Sequence, residues 1–232
     1  MFKRKKKEVK TAFARQLITS VNPKSVIAEQ FKIIRTNLNF SMPQENLRSI
    51  VITSTQMSEG KSTISSNLGV TYAQAGKKVI FVDADMRKPT VHHTFGLKNT
   101  TGLSNLLIKE LKMNDVIQQT NIENLDVVTS GPIPPNPAEL LTSSELKVLL
   151  EELKQSYDLV IFDAPPVLPV TDAQIISNIM DGTVLVVNSG KTEKEGVLKA
   201  KELLEKSKAN LLGVVLNNVT LEDNNYYYRY YG

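Results

Sequence analysis

The sequence predicts an α/β protein with a doubly wound, mostly parallel sheet that is flanked by helices. Short apolar runs rich in Val and Ile alternate along the chain with segments of helical periodicity, which is the order of elements expected for this architecture. The runs are apolar at successive positions and not only at every second one, as is typical of strands covered on both faces. Gly76, Gly182 and Gly213 lie at or near joints between a helix and the next strand, where a helix-capping residue is expected.

Six strands and four helices account for the predicted sheet and its covering layers. The predicted strands are residues 49–54, 78–83, 125–129, 158–163, 183–187 and 211–216. The predicted helices between them are residues 61–75, 143–156, 171–180 and 193–207. The chain shows no internal repeat, so we expect one domain and not a repeat architecture.

A further helix is predicted before the first strand, at about residues 24–39. Apolar residues spaced by four, three and four form one stripe of this helix, which is expected to pack on the body of the protein. The stripe consists of Ile27, Phe31, Ile34 and Leu38. Charged residues lie on an adjacent face, which is either a solvated surface or a contact surface. They are Glu29, Lys32 and Arg35.

The composition is that of an ordinary globular chain of 232 residues and 25.8 kDa, with 41% hydrophobic and 22% charged residues. One domain of this size buries roughly 70% of its unfolded surface, so no disulfide or metal is needed for stability. The chain has no cysteine, which excludes disulfide scaffolds, thiol catalysis, iron–sulfur clusters and thiolate zinc sites. The two histidines, His92 and His93, do not favour a histidine-rich metal site. A chain without cysteines is expected in the cytoplasm.

The chain divides into three predicted zones: a basic mobile arm at residues 1–21, one folded domain at 22–221 and a flexible tyrosine-rich tail at 222–232. Residues 1–15 hold seven Lys and Arg against one Glu, whereas the remaining 217 residues carry 21 basic and 23 acidic groups. The positive charge therefore belongs to the arm, and we expect no nucleic-acid partner. The arm either contacts the anionic cytoplasmic leaflet or is simply solvated. No pattern of a secretory signal follows it, and no stretch of about 18 apolar residues predicts a membrane span.

The strongest motif is STQMSEGKST at residues 54–63, between an apolar run and a helical segment. Backbone N–H groups of a loop in this position can surround a phosphate, and the N-terminus of the following helix adds its dipole. Lys61 is expected to reach the β and γ phosphates, and the Ser62 hydroxyl is expected to bind Mg²⁺. The full pattern has a glycine six residues before the lysine, where this chain has Thr55. The predicted nucleotide-binding residues are Ser58, Glu59, Gly60, Lys61, Ser62 and Thr63.

Two acidic strand ends support a nucleotide site. One predicted strand ends in Asp163 followed by Ala-Pro-Pro, which is the form of a Walker B carboxylate that contacts Mg²⁺, often through water. A second strand ends in Asp83-Ala-Asp85, 22 residues after Lys61. Because ligands of open parallel sheets bind outside the carboxyl ends of the strands, the three strand ends can converge on MgATP or MgGTP. Each aspartate taken alone is about as well explained by a capping role.

With these motifs the sequence resembles the bacterial tyrosine kinases (BY-kinases), in particular the separate cytoplasmic kinase chain of capsule and exopolysaccharide systems. The resemblance runs from about residue 20 to the end and rests on SEGKST, VDADMRKPTVHHTFGL, TSGPIPPNPAELL, FDAPP, LGVVLN and the terminal tyrosines. It implies a P-loop NTPase architecture with ATP and Mg²⁺ as cofactors. The implied catalytic residues are Lys61, Asp83, Asp85 and Asp163, and the implied metal-binding residues are Ser62, Asp83 and Asp163.

The resemblance also implies partners and a location. They are a membrane-embedded activator or polysaccharide co-polymerase with a cytoplasmic tail, protein-tyrosine substrates and a cognate phosphotyrosine phosphatase. The chain itself would be cytoplasmic and held at the membrane periphery through the activator. A ring-like homo-oligomer is implied through a Glu-x-x-Arg-x-x-Arg motif, whose places are taken here by Glu29, Lys32 and Arg35. Lys32 departs from the family pattern, because lysine cannot offer the bidentate fork of arginine.

Five of the seven tyrosines lie within the last seven residues, after a polar EDNN segment, and are not expected in the core. They suit phosphoacceptors presented to a neighbouring molecule, although an aromatic tail that binds a partner groove is an alternative. We expect transfer of the γ-phosphoryl group to tyrosine, with Asp83 orienting or deprotonating the phenol and Asp85 supporting the metal or the base. Arg87 and Lys88 either steer an acceptor or a neighbouring subunit, or are surface residues. The predicted acceptors are Tyr226, Tyr227, Tyr228, Tyr230 and Tyr231.

Two alternatives stay open from the sequence. A non-kinase ATPase switch of the partition or septum-positioning class has the same architecture. Its P-loop, however, carries a signature lysine five residues before the second lysine, where this chain has Gln56. A polysaccharide-assembly scaffold with a purely regulatory ATP site would require ATP binding but not phosphotyrosine.

Overall fold

A computed structural model of the chain describes residues 17–42 and 47–219, which form a seven-stranded sheet with helices on both faces. The strands are β1 (Ser49–Ser54), β2 (Val79–Asp83), β3 (Ile117–Gln119), β4 (Leu125–Val128), β5 (Leu159–Asp163), β6 (Gly182–Asn188) and β7 (Leu211–Asn217). The helices are α1 (Ile18–Val21), α2 (Val26–Ser41), α3 (Lys61–Gln74), α4 (Val91–Phe95), α5 (Leu103–Leu107), α6 (Met113–Val116), α7 (Pro137–Thr142), α8 (Ser144–Ser156), α9 (Asp172–Ser177) and α10 (Lys194–Lys206).

The strand order is β3-β4-β2-β5-β1-β6-β7, and every neighbouring pair is parallel except β3 and β4. The parallel strands therefore end at one edge of the sheet. β5 lies between β1 and β2, and the register places Asp83 of β2 opposite Asp163 of β5. The topology alone thus brings two acidic strand ends and the loop after β1 to one place, as the sequence analysis expects.

Both faces of the sheet are covered, which explains why its central strands are apolar at successive positions. Every residue of β1, β2, β5 and β6 is buried. On one face, α8 and α9 contribute Leu146 and Ile176 to a hydrophobic cluster, and on the other face α2 and α3 contribute Phe31 and Leu68. These two close-packed layers fix the strand ends from which the site is built.

The predicted α/β fold is confirmed, and all predicted strands and helices occur with bounds that agree within three residues. The sequence analysis did not predict β3. This strand has three residues, Ile-Gln-Gln, none of them buried, and is too short and polar to show a strand pattern. Within the described ranges, no helix has the length and apolar character that crossing a bilayer requires.

The folded region begins before the predicted boundary at residue 22. Residues 18–21, predicted within the mobile arm, form α1. Its buried Thr19 donates a hydrogen bond from Oγ1 to Asn67 Oδ1 of α3 at 2.9 Å. This contact holds α1 on the body of the protein, so residues 18–21 belong to the folded region. The rest of the arm, residues 1–16, lies outside the described residues.

The buried side of α2 differs in part from the predicted stripe. Phe31 and Leu38 are buried and Ile34 is half-buried, as predicted, but Ile27 is 54% exposed. Ala28 is buried in its place, because the first turn of α2 meets the neighbouring elements one residue later along the helix. The contact surface is therefore rotated at the start of the helix.

Candidate active site

The loop between β1 and α3, residues 55–60, has the backbone of a phosphate-binding loop. Its last residue, Gly60, is the N-cap of α3 and has a φ of +92°, in the left-handed region that favours glycine. A Cβ atom at this position would also overlap the side-chain amide of Asn217 at the end of β7. Asn217 Nδ2 donates a hydrogen bond to the Glu59 carbonyl oxygen at 2.9 Å. Both the backbone and the neighbouring strand therefore require glycine at position 60.

The N-terminus of α3 opens at the carboxyl edge of the sheet, where the first N–H groups of a helix and its dipole favour an anion. Ser62 is buried, and its Oγ accepts a hydrogen bond from Lys61 Nζ at 3.2 Å. The Thr63 N–H donates to the Gly60 carbonyl oxygen at 3.0 Å and is thus used within the helix. Lys61 and Ser62 therefore lie at the start of α3, whereas the N–H group of Thr63 already has a partner within the helix.

Three aspartates and Lys61 form a compact charge cluster beside this helix N-terminus. Lys61 Nζ lies 2.9 Å from Asp85 Oδ2 and 3.3 Å from Asp163 Oδ2. The Asp163 side chain is fully buried, and its other oxygen accepts a hydrogen bond from Ser65 Oγ at 3.1 Å. Asp83 stands next to Asp163 in the sheet register. The structure thus brings together all four predicted catalytic residues.

Burial and mutual charge shift the pKa values within this cluster. Burial raises the pKa of Asp83 to about 7, to which the nearby Asp163 carboxylate contributes and which Lys61 opposes. Burial alone would lower the pKa of Lys61. The carboxylates of Asp163, Asp85 and Asp83 outweigh it, so the pKa of Lys61 is raised. Lys61 therefore stays positively charged and balances the surrounding carboxylates.

Asp83 and Asp85 have different surroundings. Asp83 is fully buried, and its oxygens accept the N–H groups of Asp85 at 3.2 Å, Thr90 at 3.3 Å and Val91 at 3.1 Å. It therefore holds the turn after β2 as well as contributing its charge. Asp85 retains 6% exposure and accepts the Lys88 N–H at 3.0 Å. Of the two, Asp85 is the carboxylate nearer to solvent.

The residues predicted at the metal fit a magnesium ion. Ser62, Asp83 and Asp163 offer one hydroxyl and two carboxylates, and oxygen is the ligand atom that Mg²⁺ prefers. Mg²⁺ is usually bound by one or two carboxylates together with substrate phosphates and water. The buried Asp163 already has a cation, the Lys61 ammonium, at 3.3 Å. The Asp163 carboxylate thus already interacts with a positive charge, and the same oxygen atoms could interact with Mg²⁺.

Ser58 and Glu59 complete the loop in different ways. Ser58 has a positive φ of 64° and lines a groove of about 400 Å³ between the P-loop and the loop after β6. The Glu59 carboxylate turns inward and accepts the N–H groups of Thr55 at 2.8 Å and Gln56 at 3.1 Å. Glu59 is only 5% exposed. The nucleotide contact predicted for this part of the loop is through backbone N–H groups, and the Glu59 side chain itself stabilises the loop.

The three residues predicted for oligomerisation do not share one exposed face. Glu29 and Lys32 form an exposed ion pair, with 2.5 Å between Lys32 Nζ and Glu29 Oε1. Arg35 Nη1 instead donates to the Thr71 carbonyl oxygen in the last turn of α3, at 2.7 Å. Arg35 lies at the edge of the buried side of α2, so its long side chain reaches a helix C-terminus that favours a cation. Glu29 and Lys32 are therefore exposed together, whereas Arg35 is directed toward α3.

Asp172 was missed by the sequence analysis. It is the first residue of α9 and is fully buried. Arg87 donates from Nε and Nη2 to its two oxygens at 2.9 Å each, so Arg87 is not a free surface residue. A Thr-Asp pair before an apolar segment is a signal for a helix start, but it does not show which cation the carboxylate meets. The pair joins the turn after β2 to α9.

The five tail tyrosines lie outside the described residues, so their function as acceptors stays a prediction. The described chain ends two residues after β7, at Val219. β7 is parallel to its neighbour β6 and therefore ends at the same edge as the charge cluster.

Comparison with known proteins shows to which family the chain belongs. A family model described as an AAA domain matches residues 47–214. The chain is 51% identical to tyrosine-protein kinase YwqD of Bacillus subtilis, over 94% of this chain and 92% of that protein. It is 47% identical to the putative tyrosine-protein kinase CapB of Staphylococcus aureus, over 90% and 92% of the two chains.

The solved structures agree with this result. The chimerical protein CapA2B2 matches with a TM-score of 0.85 and 51% identity, over 90% of this chain and 91% of that chain. The septum site-determining protein MinD of Pyrococcus horikoshii OT3, complexed with Mg-ADP, matches less well, with a TM-score of 0.63, 26% identity and coverage of 73% and 69%. These likenesses confirm a P-loop NTPase fold and favour the kinases over the septum-positioning class. The sequence identity over almost the whole length shows that the chain belongs to the bacterial tyrosine kinase family.

Proposed function

We propose that the chain transfers the γ-phosphoryl group of ATP to tyrosines in the terminal cluster of a neighbouring copy. The observation that carries this proposal is the charge cluster at the N-terminus of α3, where Lys61 lies 2.9 Å from Asp85 and 3.3 Å from Asp163. In such a cluster the Lys61 ammonium can move from the carboxylates to the phosphate oxygens. Membership of a tyrosine kinase family supports tyrosine as the acceptor.

The residues of the site have distinct tasks in this reaction. The P-loop N–H groups and the α3 dipole bind the phosphates, and Lys61 leaves its carboxylate partners to stabilise the charge on the transferred group. Ser62, Asp83 and Asp163 would hold Mg²⁺, which supplies charge neutralisation of the phosphates. Because little covalent assistance is needed, correct positioning of the acceptor hydroxyl is the main requirement.

The contacts favour Asp85 over Asp83 as the carboxylate that meets the phenol. Asp83 has no solvent exposure and accepts three backbone N–H groups, whereas Asp85 is nearer to solvent. An acceptor hydroxyl hydrogen-bonded to Asp85 would release its proton to that carboxylate as the phosphoryl group is transferred. Asp83 then supports the turn that carries Asp85.

The terminal cluster fits the acceptor role because of its chemistry and its starting point. Its five tyrosines, Tyr226, Tyr227, Tyr228, Tyr230 and Tyr231, follow a strand that ends at the same edge as the site. Each phosphotyrosine adds about −1.5 to −2 charge at neutral pH, so several of them would weaken the packing of neighbouring copies. Phosphorylation would thereby drive a cycle of assembly and release.

The same proposal includes the biological setting. The chain acts in capsular or exopolysaccharide synthesis and export, as a cytoplasmic kinase held at the membrane by an activator with a cytoplasmic tail. It assembles into a ring through Glu29 and Lys32 of α2, where Arg35 would have to leave Thr71 to take part. Other protein tyrosines are further substrates, and a phosphotyrosine phosphatase reverses the reaction.

Mass spectrometry of the purified chain after incubation with MgATP tests the proposal. The wild type should gain phosphate on residues 226–231, and Lys61→Met should gain none. For transfer between copies, Lys61→Met protein serves as the acceptor for a wild-type kinase truncated after residue 221. Phosphate on the Lys61→Met tail would establish transfer in trans. An unmodified tail, even with the cytoplasmic segment of the activator added, would contradict the proposed function.

A further inference from the structure

Glu59 is a buried carboxylate within the phosphate loop that the reaction above does not use. Its Oε2 accepts the N–H groups of Thr55 at 2.8 Å and Gln56 at 3.1 Å. Its Oε1 accepts the hydroxyls of Thr55 and Thr192, each at 2.5 Å. A carboxylate with 5% exposure is tolerated when its oxygens receive donors in this way. The first half of the loop is therefore folded around the Glu59 carboxylate.

Glu59 is also joined to two other strand ends. Thr192 lies in the loop between β6 and α10, and its Oγ1 accepts the Asn188 N–H at 3.1 Å. On the other side, Asn217 at the end of β7 donates to the Glu59 carbonyl oxygen at 2.9 Å. One residue thus connects the loop after β1 with the carboxyl ends of β6 and β7. Movement of any of these elements would displace the P-loop.

This arrangement has a consequence for nucleotide affinity. The N–H groups of Thr55 and Gln56 precede those at the start of α3 in the same loop. If the first half of the loop were not fixed, binding of a phosphate would have to order it, at a cost in conformational entropy. With Glu59 in place, that ordering is complete before the nucleotide arrives.

We propose that Glu59 is a positioning residue that presets the P-loop for phosphate, and that its bond to Thr192 couples the β6–α10 loop to the nucleotide site. The proposal rests on the proposed binding of MgATP at this loop.

Calorimetric titration of the full chain with MgADP tests the proposal without requiring phosphoryl transfer. Glu59→Ala removes all four bonds and should weaken the affinity at least tenfold. Thr192→Val removes the hydroxyl with little change in shape and should weaken it three- to fivefold. The double variant should bind MgADP with the same affinity as Glu59→Ala alone, since Thr192 acts through Glu59.

Conservative variants separate positioning from damage to the fold. Glu59→Gln should recover most of the affinity, because its amide oxygen can accept both N–H groups while the two hydroxyls turn to accept from its NH₂ group. Thr192→Ser should likewise recover it. A positioning role raises Kd and leaves the binding stoichiometry unchanged, whereas a partly unfolded variant shows fewer sites and a lower melting temperature.

The outcomes are distinguishable. If the wild type binds MgADP and both Glu59→Ala and Thr192→Val bind it equally well, the positioning role is overturned and the proposed function stands. If the wild type binds no MgADP, the proposed function and the inference both fail. If Glu59→Ala does not fold, the Thr192→Val and Thr192→Ser pair decides alone, and equal affinities for that pair overturn the coupling.

Discussion

The ion pair between Arg87 and Asp172 offers the sharpest test of how the site is held in place. Asp172 is fully buried, and both of its oxygens accept hydrogen bonds from Arg87 at 2.9 Å. Replacing Arg87 with alanine leaves a buried carboxylate without its cation. Removing one partner of a buried pair typically costs about 3–5 kcal/mol. The Arg87 side chain is 37% exposed, so water can replace part of the interaction, and we expect a loss of roughly 2–3 kcal/mol.

Two further variants give this prediction its internal control. Arg87→Lys keeps the charge but loses the planar fork, so it should lose about half as much stability, roughly 1 kcal/mol. Asp172→Asn removes the buried charge, after which Arg87→Ala should cost little more. The coupling free energy from the double-mutant cycle should therefore reach about 2 kcal/mol.

Urea denaturation of the wild type and the four variants at neutral pH measures these differences. Equal slopes of the unfolding free energy against urea concentration would show that the variants unfold from comparable states. If Arg87→Ala and the wild type unfold within about 0.5 kcal/mol of each other, the pair contributes nothing measurable. The assigned link between the turn after β2 and α9 would then be wrong.

Three other predictions follow from single residues. Gly60→Ala should abolish MgADP binding in titration, because its φ of +92° and the adjacent Asn217 amide exclude a Cβ atom, while circular dichroism stays that of the wild type. Lys61→Met should eliminate tyrosine phosphorylation by immunoblot, since the cation that approaches the phosphates is lost; substantial remaining phosphorylation would contradict this role. Burial raises the pKa of Tyr72 to about 12, so folding is favoured below pH 10 and loses that advantage as the pH rises through 12. Between pH 9 and 11 the wild type should therefore lose about 1 kcal/mol more stability than Tyr72→Phe, and parallel pH profiles would refute the shift.

The sequence alone predicted six of the seven strands and the convergence of the charge cluster. Both depend on continuous apolar strands that end in Asp83 and Asp163, and on the rule that parallel strands present their ends at one edge. The prediction of the buried stripe of α2 was less accurate, because helical periodicity does not determine which of two adjacent residues packs against the sheet and the neighbouring helices. Ile27 and Ala28 differ by one step, and only packing decides between them.

Side-chain partners were beyond the reach of sequence patterns. A motif shows that Glu59 lies in a phosphate loop, but not that its carboxylate turns toward Thr55 and Thr192. Asp172 likewise shows a helix start and not its pairing with Arg87, 85 residues earlier. Such contacts arise from distances between elements that are far apart in the chain, which local periodicity does not encode. The contact of Arg35 with Thr71, which separates Arg35 from Glu29 and Lys32, is likewise a contact between distant elements.

The contact between Asn217 and the P-loop also sets when the site can form during synthesis. Asn217 follows Glu59 by 158 residues, so the ribosome completes the phosphate loop long before its anchor on β7. At about 5–20 residues per second the interval is roughly 8–30 s, in which the loop lacks one of its supports. The phosphate loop therefore acquires its full set of supports late in folding, after β7 has joined the sheet.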